Sequence, residues 1–486
     1  MLENWQKVSF LLCIYGFVRE LRPSEPFAVE FFINYRNVTN DELTNYYFPL
    51  GTYSYMLQLI VTFLITDIMR YKPIIVFAAF MGMLLFGLLA WTSKDFIPIA
   101  QVSYGTFMAC EIAYYTYIYA KVERSKYQLV TGHTRASILT GRFIGSVLSQ
   151  LLISFGLMNY EELNYISFGS QCVSLIFALL LPSVSVSLYF YSNTGENVNA
   201  NANGNGNVNC HVNLAHTNDD VDEKHLMKMS AMNGDDGGDG VKNRDCDSST
   251  IKKSNSKPNC DASRGEMPAT FSLTLAIQRI VNHIRTSYTN TTVIQWSILW
   301  AMSMCGFLQV QSYIQPLWKE IDPAETVLYN GAVEALITLL GAIAAFMAGF
   351  LNSKSFNRYE IWILTILMLV EGSLLLWAAL TTSLWCCYGM YVIFGMIYQF
   401  MITVASASVA KKLHEECFAL IFGINTLIAL ILQSLLTFIV ITKYNLMLRT
   451  QYQLYSYVFF TLATIYGVTG VVKLLFQRRK SYSLKC

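Results

Sequence analysis

Three acids lie in stretches apolar enough to cross a bilayer, and the neighbours of one, Glu111, suit the binding of an organic cation. Glu111 sits in Phe107-Met108-Ala109-Cys110-Glu111-Ile112-Ala113-Tyr114-Tyr115. A carboxylate at bilayer depth costs roughly 2.5–3.5 kcal/mol on insertion scales, so a chain that keeps one has a use for it. Helical spacing of three and four brings Tyr114 and Tyr115 beside the acid, and aromatic faces attract cations. The plainer reading of Glu111 is a buried acid satisfied by one hydrogen bond. Glu25 lies in Leu21-Arg22-Pro23-Ser24-Glu25-Pro26-Phe27, where two prolines must break or kink the first span. Broken helices at depth line cavities, but pairing with Arg22 or Arg19 in a structural cluster is the competing account. Glu334, in Tyr329-Asn330-Gly331-Ala332-Val333-Glu334-Ala335, is either a cavity acid or a vestibule acid that snorkels. A fourth acid, Glu371, reads as structural. Arg142 either pairs with an acid across a cavity or snorkels at a span end.

The elements that must position these groups are membrane spans. Of 486 residues, 54% are hydrophobic and 14% charged, against about 25% charged in soluble proteins. A net charge of +2 gives no reason to expect a nucleic-acid partner. Cys13, Cys110, Cys172, Cys305 and Cys417 read as small packing residues. The first apolar run leads from Lys7 straight into a charged break, unlike a cleavable signal peptide. Apolar stretches of about 20 residues, enough for a hydrocarbon core, fall near 8–33 (interrupted), 48–69, 73–92, 96–120, 135–157 and 163–190. After a polar interval come 293–317, 327–351, 360–381, 384–410, 417–442 and 452–476. This predicts an all-α membrane protein of twelve transmembrane helices. Its two six-helix halves are residues 1–190 and 293–476, with a short tail at 477–486.

The interval 191–292 is rich in Asn, Gly, Asp, Ser and Lys and lacks apolar periodicity, so most of it is expected to be a disordered linker. Cys210, His211 and His216 within it read as chance scatter rather than a metal site. Helical periodicity returns near 271–284, as expected of an amphipathic helix on the membrane surface. Basic residues gather in the loops on one side: Arg70 and Lys72; Lys121, Arg124, Lys126 and Arg135; Lys354 and Arg358; Lys411 and Lys412; then Arg478, Arg479 and Lys480. The positive-inside rule makes that side cytoplasmic, with both termini and the linker. Asn37-Val38-Thr39 is then an outside sequon, expected to be glycosylated, and Asn290-Thr291-Thr292 an inside one. Trp91, Trp318 and Trp385 fall at span ends and read as interfacial anchors.

No nucleophile–base pair, phosphate loop or metal-ligand spacing occurs in a span, so enzymatic chemistry, cofactors and ATP-driven pumping find no support. Six plus six spans around a long linker is the plan of the major facilitator fold, whose halves rock about a midplane site. The turn Asp67-Ile68-Met69-Arg70-Tyr71-Lys72-Pro73 suits its charged hinge.

Several stretches together resemble the reduced folate carrier and thiamine transporter family. They are Tyr15-Gly16-Phe17 with Arg22-Pro23-Ser24-Glu25-Pro26-Phe27, Tyr53-Ser54-Tyr55, Thr66-Asp67 with Arg70-Tyr71-Lys72-Pro73, and Glu111-Ile112-Ala113-Tyr114-Tyr115. In the second half they are Tyr329-Asn330-Gly331-Ala332-Val333-Glu334-Ala335 and Ala419-Leu420-Ile421-Phe422-Gly423-Ile424-Asn425-Thr426. The resemblance is nearest to the thiamine transporters. Folate carriers have Arg where this chain has Glu111, and a lysine where it has Gln433. It implies a plasma-membrane vitamin carrier with Glu25, Glu111, Tyr114 and Glu334 on the site, Tyr115 beside them and Gln433 bearing on selectivity. Two positions depart from the thiamine pattern: Gly51 stands for a Trp, with Phe48 the nearby ring that partly compensates, and Gln101 stands for an acid. Thiamine leads, while pyridoxine or a reduced folate stays open as substrate. A non-transporting vitamin sensor is the alternative of another class. A monomer with possible proton coupling through an intramembrane acid completes the expectation.

Overall fold

The computed structural model describes residues 4–122, 126–184, 191–192, 270–271, 273–323, 328–349, 354–410, 413 and 418–483. Most of the linker, with Cys210, His211 and His216, lies outside the described residues, as do Arg124, Lys411 and Lys412. The first half comprises α1 (Asn4–Glu20), α2 (Ala28–Arg36), the single turn α3 (Asn40–Glu42), α4 (Phe48–Ile68), α5 (Lys72–Trp91), α6 (Ile97–Ala109), α7 (Glu111–Lys121), α8 (Tyr127–Ser154) and α9 (Leu163–Leu180). The second comprises α10 (Leu273–Ser287), α11 (Thr291–Ile321), α12 (Asn330–Gly349), α13 (Lys354–Leu380), α14 (Leu384–Ala410), α15 (Phe418–Thr437) and α16 (Leu448–Ser483). Between them, β1 (Tyr191–Ser192) pairs antiparallel with β2 (Thr270–Phe271).

Ten segments among the described residues are single stretches long and apolar enough to cross a membrane. The other two crossings are assembled from broken helices, α1 with α2 and α6 with α7, which completes the twelve. An even number of crossings returns both chain ends to one side, here called the terminal end; the opposite side is the far end. Prolines in the first turn open α4, α5 and α6, at Pro49, Pro73 and Pro98, where no N–H partner is needed. Asn290 caps α11 by accepting from the Thr292 N–H at 2.9 Å.

The two breaks have different causes. Pro23 and Pro26 end α1, which leaves carbonyls that lipid cannot satisfy. A polar stripe on α9 supplies them. Gln171 Nε2 donates to the Arg19 carbonyl at 3.0 Å, Ser170 Oγ to the Leu21 carbonyl at 2.7 Å, and Ser24 N to Ser167 Oγ at 3.2 Å. The break at Cys110 contains no proline. There the Phe107 carbonyl is taken by Arg19 Nη2 at 3.1 Å, so a side chain from another span holds it open.

The halves meet along α4 with α15 and α8 with α12. At the far end they are latched directly. Gln315 of α11 accepts from the Val29 N–H at 3.3 Å and donates to the Glu25 carbonyl at 3.0 Å. Lys319 pairs with the buried Glu30 at 3.2 Å, Gln150 reaches the Leu328 carbonyl and the Ala332 N–H, and Tyr53 meets Thr442 at 3.0 Å.

One expectation needs correcting. Trp91 and Trp385 are well exposed, as anchors should be, but Trp318 is 2% exposed and belongs to the core of the second half. Its position late in a 31-residue helix, beyond the internal Pro316, keeps it packed against α14. The last candidate crossing is Leu448–Leu475, and its helix α16 continues to Ser483 through a segment free of Gly and Pro.

Candidate functional site

Glu20, which the sequence reading did not single out, is the hub of the first half. Its side chain is 1% exposed and accepts from three guanidiniums: Arg22 Nη2 at 2.6 Å, Arg142 Nη2 at 2.8 Å and Arg19 Nη1 at 3.3 Å. Two further acids close the network, Glu25 on Arg22 Nη1 at 2.5 Å and Glu111 on Arg19 Nη1 at 3.5 Å. The Phe107 ring lies under Arg19 and Arg22, with centroid distances of 4.4 and 5.4 Å. Three arginines thus face three glutamates, and the formal charge of the cluster is zero. A buried ionic network holds only when its geometry and hydrogen bonds repay desolvation; here Glu20 sits between three donors.

The rim of the cluster is reachable although its centre is not. The side chains of Glu25, Arg142 and Glu111 are 38%, 36% and 22% exposed. Polar groups accessible at mid-bundle mark a cleft between the halves. Glu334 of α12 lies across it, close enough for Arg142 and Glu25 to act on it electrostatically. Its carboxylate accepts from the Tyr391 hydroxyl of α14 at 3.1 Å. No cation among the described residues lies within ion-pair distance of Glu334, which sets it apart from Glu20, Glu25 and Glu111. Trp318 supports this wall edge-on, with ring centroids 4.8 Å from Tyr388 and 5.5 Å from Tyr391, and the Tyr388 hydroxyl is tied to Asn330 at 2.9 Å.

The other residues named from the sequence separate. Tyr114 is not on the cleft wall: it is 1% exposed, packs beneath Gly16 and donates to the Leu12 carbonyl at 2.9 Å. The turn that begins α7 at Glu111 sends Tyr114 toward α1, while the neighbouring Tyr115 stays half-buried within electrostatic reach of Glu111 and Arg135. Phe48 meets Tyr313 edge-on at 6.0 Å, in the far-end contact between the halves. Gln433 is buried within α15. Arg142 does not bridge the cleft; it pairs with Glu20 in its own half. Gly51 and Gln101, the two departures from the thiamine pattern, touch each other: a Cβ on Gly51 would lie 2.7 Å from Gln101 Oε1. Glu371 is fully buried, and neither carboxylate oxygen has a hydrogen-bond partner. Asn37 is exposed at the far end, with a left-handed φ of 51° closing α2. Among the described residues no group of His, Cys, Asp and Glu is placed to hold a metal.

Glu20 was missed because Arg19-Glu20 adjoins the proline break and reads as a charged span end, with Arg19 offered only as a partner for Glu25. Tyr391 was one tyrosine among 30. The Ser167-Ser170-Gln171-Ser174 stripe was a usable signal, since polar residues at helical spacing in an apolar span must face something polar.

A sequence profile described as "Reduced folate carrier" matches residues 3–456. The chain belongs to the reduced folate carrier family. Among relatives of this carrier, Folate transporter 1 of Caenorhabditis elegans is 33% identical over 490 residues, covering 99% of this chain and 95% of the relative. Thiamine transporter 1 of Homo sapiens is 34% identical over 496 residues, covering 98% and 92%. Thiamine transporter 2 of Homo sapiens is 33% identical over 473 residues, covering 96% and 90%. Two solved structures share the carrier's fold. A D-xylose-proton symporter has a TM-score of 0.58 at 11% identity, covering 94% of this chain and 96% of that one. The nucleoside transporter NupG has 0.53 at 12% identity, covering 96% and 98%. The fold is that of the major facilitators, and the carrier is a multi-pass membrane transporter and not an enzyme.

Proposed function

We propose that this carrier moves thiamine, or a closely similar cationic heterocycle, across the plasma membrane by alternating access. The observation that carries the reading is Glu334. It is the cleft acid without a cationic partner among the described residues, and it faces a cluster whose charges already cancel. Entry of a cation completes the charge balance of the cleft. Tyr115 and the accessible edge of Glu25 supply ring and hydrogen-bonding surface around it, while the buried Tyr391 holds the Glu334 carboxylate from behind. Far-end latches shut the cleft on one side. With Asn37 at that end as an outside glycosylation site, this conformation is closed to the exterior. Loss of an endoglycosidase-sensitive mobility shift in Asn37→Gln tests that orientation; a wild-type chain without the shift removes its support.

A carboxyl that takes either a proton or the substrate cation couples the two in opposite directions. Proton exchange is therefore part of the proposal, with Glu334 as its seat.

The test compares two amides in radiolabelled thiamine uptake at matched surface amount. Glu334→Gln is expected to lower uptake efficiency at least about tenfold, the effect of some 1.4 kcal/mol, and to abolish its dependence on the pH gradient. Glu111→Gln is expected to lower uptake less while also destabilising the fold, because it unbalances Arg19. Normal thiamine uptake by Glu334→Gln would sink the cation reading. The second reading, a folate carrier, rests on Arg142, whose guanidinium is 36% exposed at the rim, and it predicts that reduced folate competes with thiamine while Arg142→Gln abolishes that competition.

A further inference from the structure

The helix α10 precedes the second half and carries Arg279 and Arg285 with no acid in its length. Its C-terminal end is fixed to the bundle: Ser287 is buried, and the Tyr288 hydroxyl donates to Asn425 of α15 at 2.9 Å. Ile280 and Ile284 are half-buried, on the side turned toward the bundle. Ile277 and Val281, four residues apart on the adjoining side, are 50% and 53% exposed. Arg285 continues that stripe four residues on, whereas Arg279 falls on the opposite shoulder of the helix. Half of the apolar arc therefore packs on the protein and half is open, with a guanidinium on either flank.

Two observations say what covers the open half. First, α10 packs on α15, a helix long and apolar enough to cross a membrane, so its open apolar stripe lies beside a membrane span. Second, the flanking charge is wholly basic, which complements acidic headgroups, and long basic side chains reach the headgroup layer from an apolar helix face. We propose that α10 is an interfacial helix of the leaflet at the terminal end, with Ile277 and Val281 among the acyl chains and Arg279 and Arg285 on acidic phospholipid headgroups. The chain between β2 and α11 is thereby a lipid-sensing strap attached to α15, one of the helices at the junction of the halves. This is independent of which vitamin is carried.

The experiment is amide hydrogen exchange on the full-length carrier in nanodiscs of phosphatidylcholine, with and without phosphatidylserine. Exchange over residues 277–286 is expected to slow with phosphatidylserine, by roughly fivefold for each arginine engaged, while α15 is unchanged. The variant Arg279→Gln with Arg285→Gln should lose the difference. Ile277→Asn with Val281→Asn should exchange faster in both bilayers. Equal exchange in the two bilayers overturns the proposal, and so does a difference that survives the arginine substitutions. Protection by free inorganic phosphate in pure phosphatidylcholine would assign the arginines to a soluble anion and overturn the lipid assignment.

Discussion

In the first half, six charged side chains neutralise one another around Glu20; in the second, amides and phenols do the same work at similar depth, and one acid faces the cleft without a cation. Gln309 donates to Tyr455 at 2.9 Å and accepts from Thr437 at 3.0 Å, Tyr455 donates to Gln451 at 3.1 Å, and Tyr388 is tied to Asn330. Neutral pairs carry a small desolvation cost and impose little on their neighbours. Ion pairs carry a large one and collapse when a partner is lost. The backbones follow the same division. The first half has its crossings broken at Glu20 and at Cys110, where free carbonyls need donors, while α11 and α14 run unbroken through 31 and 27 residues. A charge cluster is thus a structural keystone on one side, and a single acid is available for chemistry on the other.

The comparison breaks most visibly at Glu20. Glu20→Gln leaves three guanidiniums with two rim acids, removes the shared negative charge and turns one acceptor oxygen into a donor, for an expected loss of about 3–5 kcal/mol. Thermal unfolding in detergent should show it as a sharply lower midpoint or as failure to recover folded protein. Removing a donor as well, in Glu20→Gln with Arg142→Gln, should restore part of the loss, since the two groups share one network. Glu334→Gln, by contrast, should unfold close to the wild type. If Glu20→Gln were as stable as Glu334→Gln, the keystone reading would fail, and the two halves would not differ in kind.

Much of the architecture was legible in the sequence because span length is set by the bilayer itself. The proline break at Pro23 and Pro26 and the amphipathic stretch before span seven were legible for the same local reasons. The break at Cys110 was not, because its cause is Arg19, about ninety residues away in sequence and adjacent only in the fold. That long-range contact also hid the pairing of Glu111. From periodicity alone Glu111 is a lone acid beside two tyrosines; in three dimensions it faces an arginine, and one of the tyrosines is turned into the core. Asn330 and Glu334, one turn apart, are both engaged by tyrosines of α14, partners that helical spacing within α12 does not disclose.

The smallest expected effect tests the neutral part of the first-half wall. Gly51 and Gln101 depart from the thiamine pattern at two positions that prove to be in contact, and Tyr104 is the next nearest group, 3.9 Å from a Cβ on Gly51. The atom such a Cβ meets is the far end of a flexible amide, so Gly51→Ala should fold and displace Gln101 rather than shift α4 from α6. Uptake should then change by only a few fold, on the scale of a mild overpacking of about 1 kcal/mol. The double variant Gly51→Ala with Gln101→Ala removes the amide that the new methyl meets. If the pair acts as a unit, the double variant will differ from the sum of the two single changes in thiamine KM. Additive effects would mean that Gly51 acts elsewhere, and the coupling of the two departures would have no functional content. A non-additive result would place a neutral amide, positioned by a glycine, on the wall opposite the unpaired acid, and would confine the charge selectivity of the cleft to Glu334.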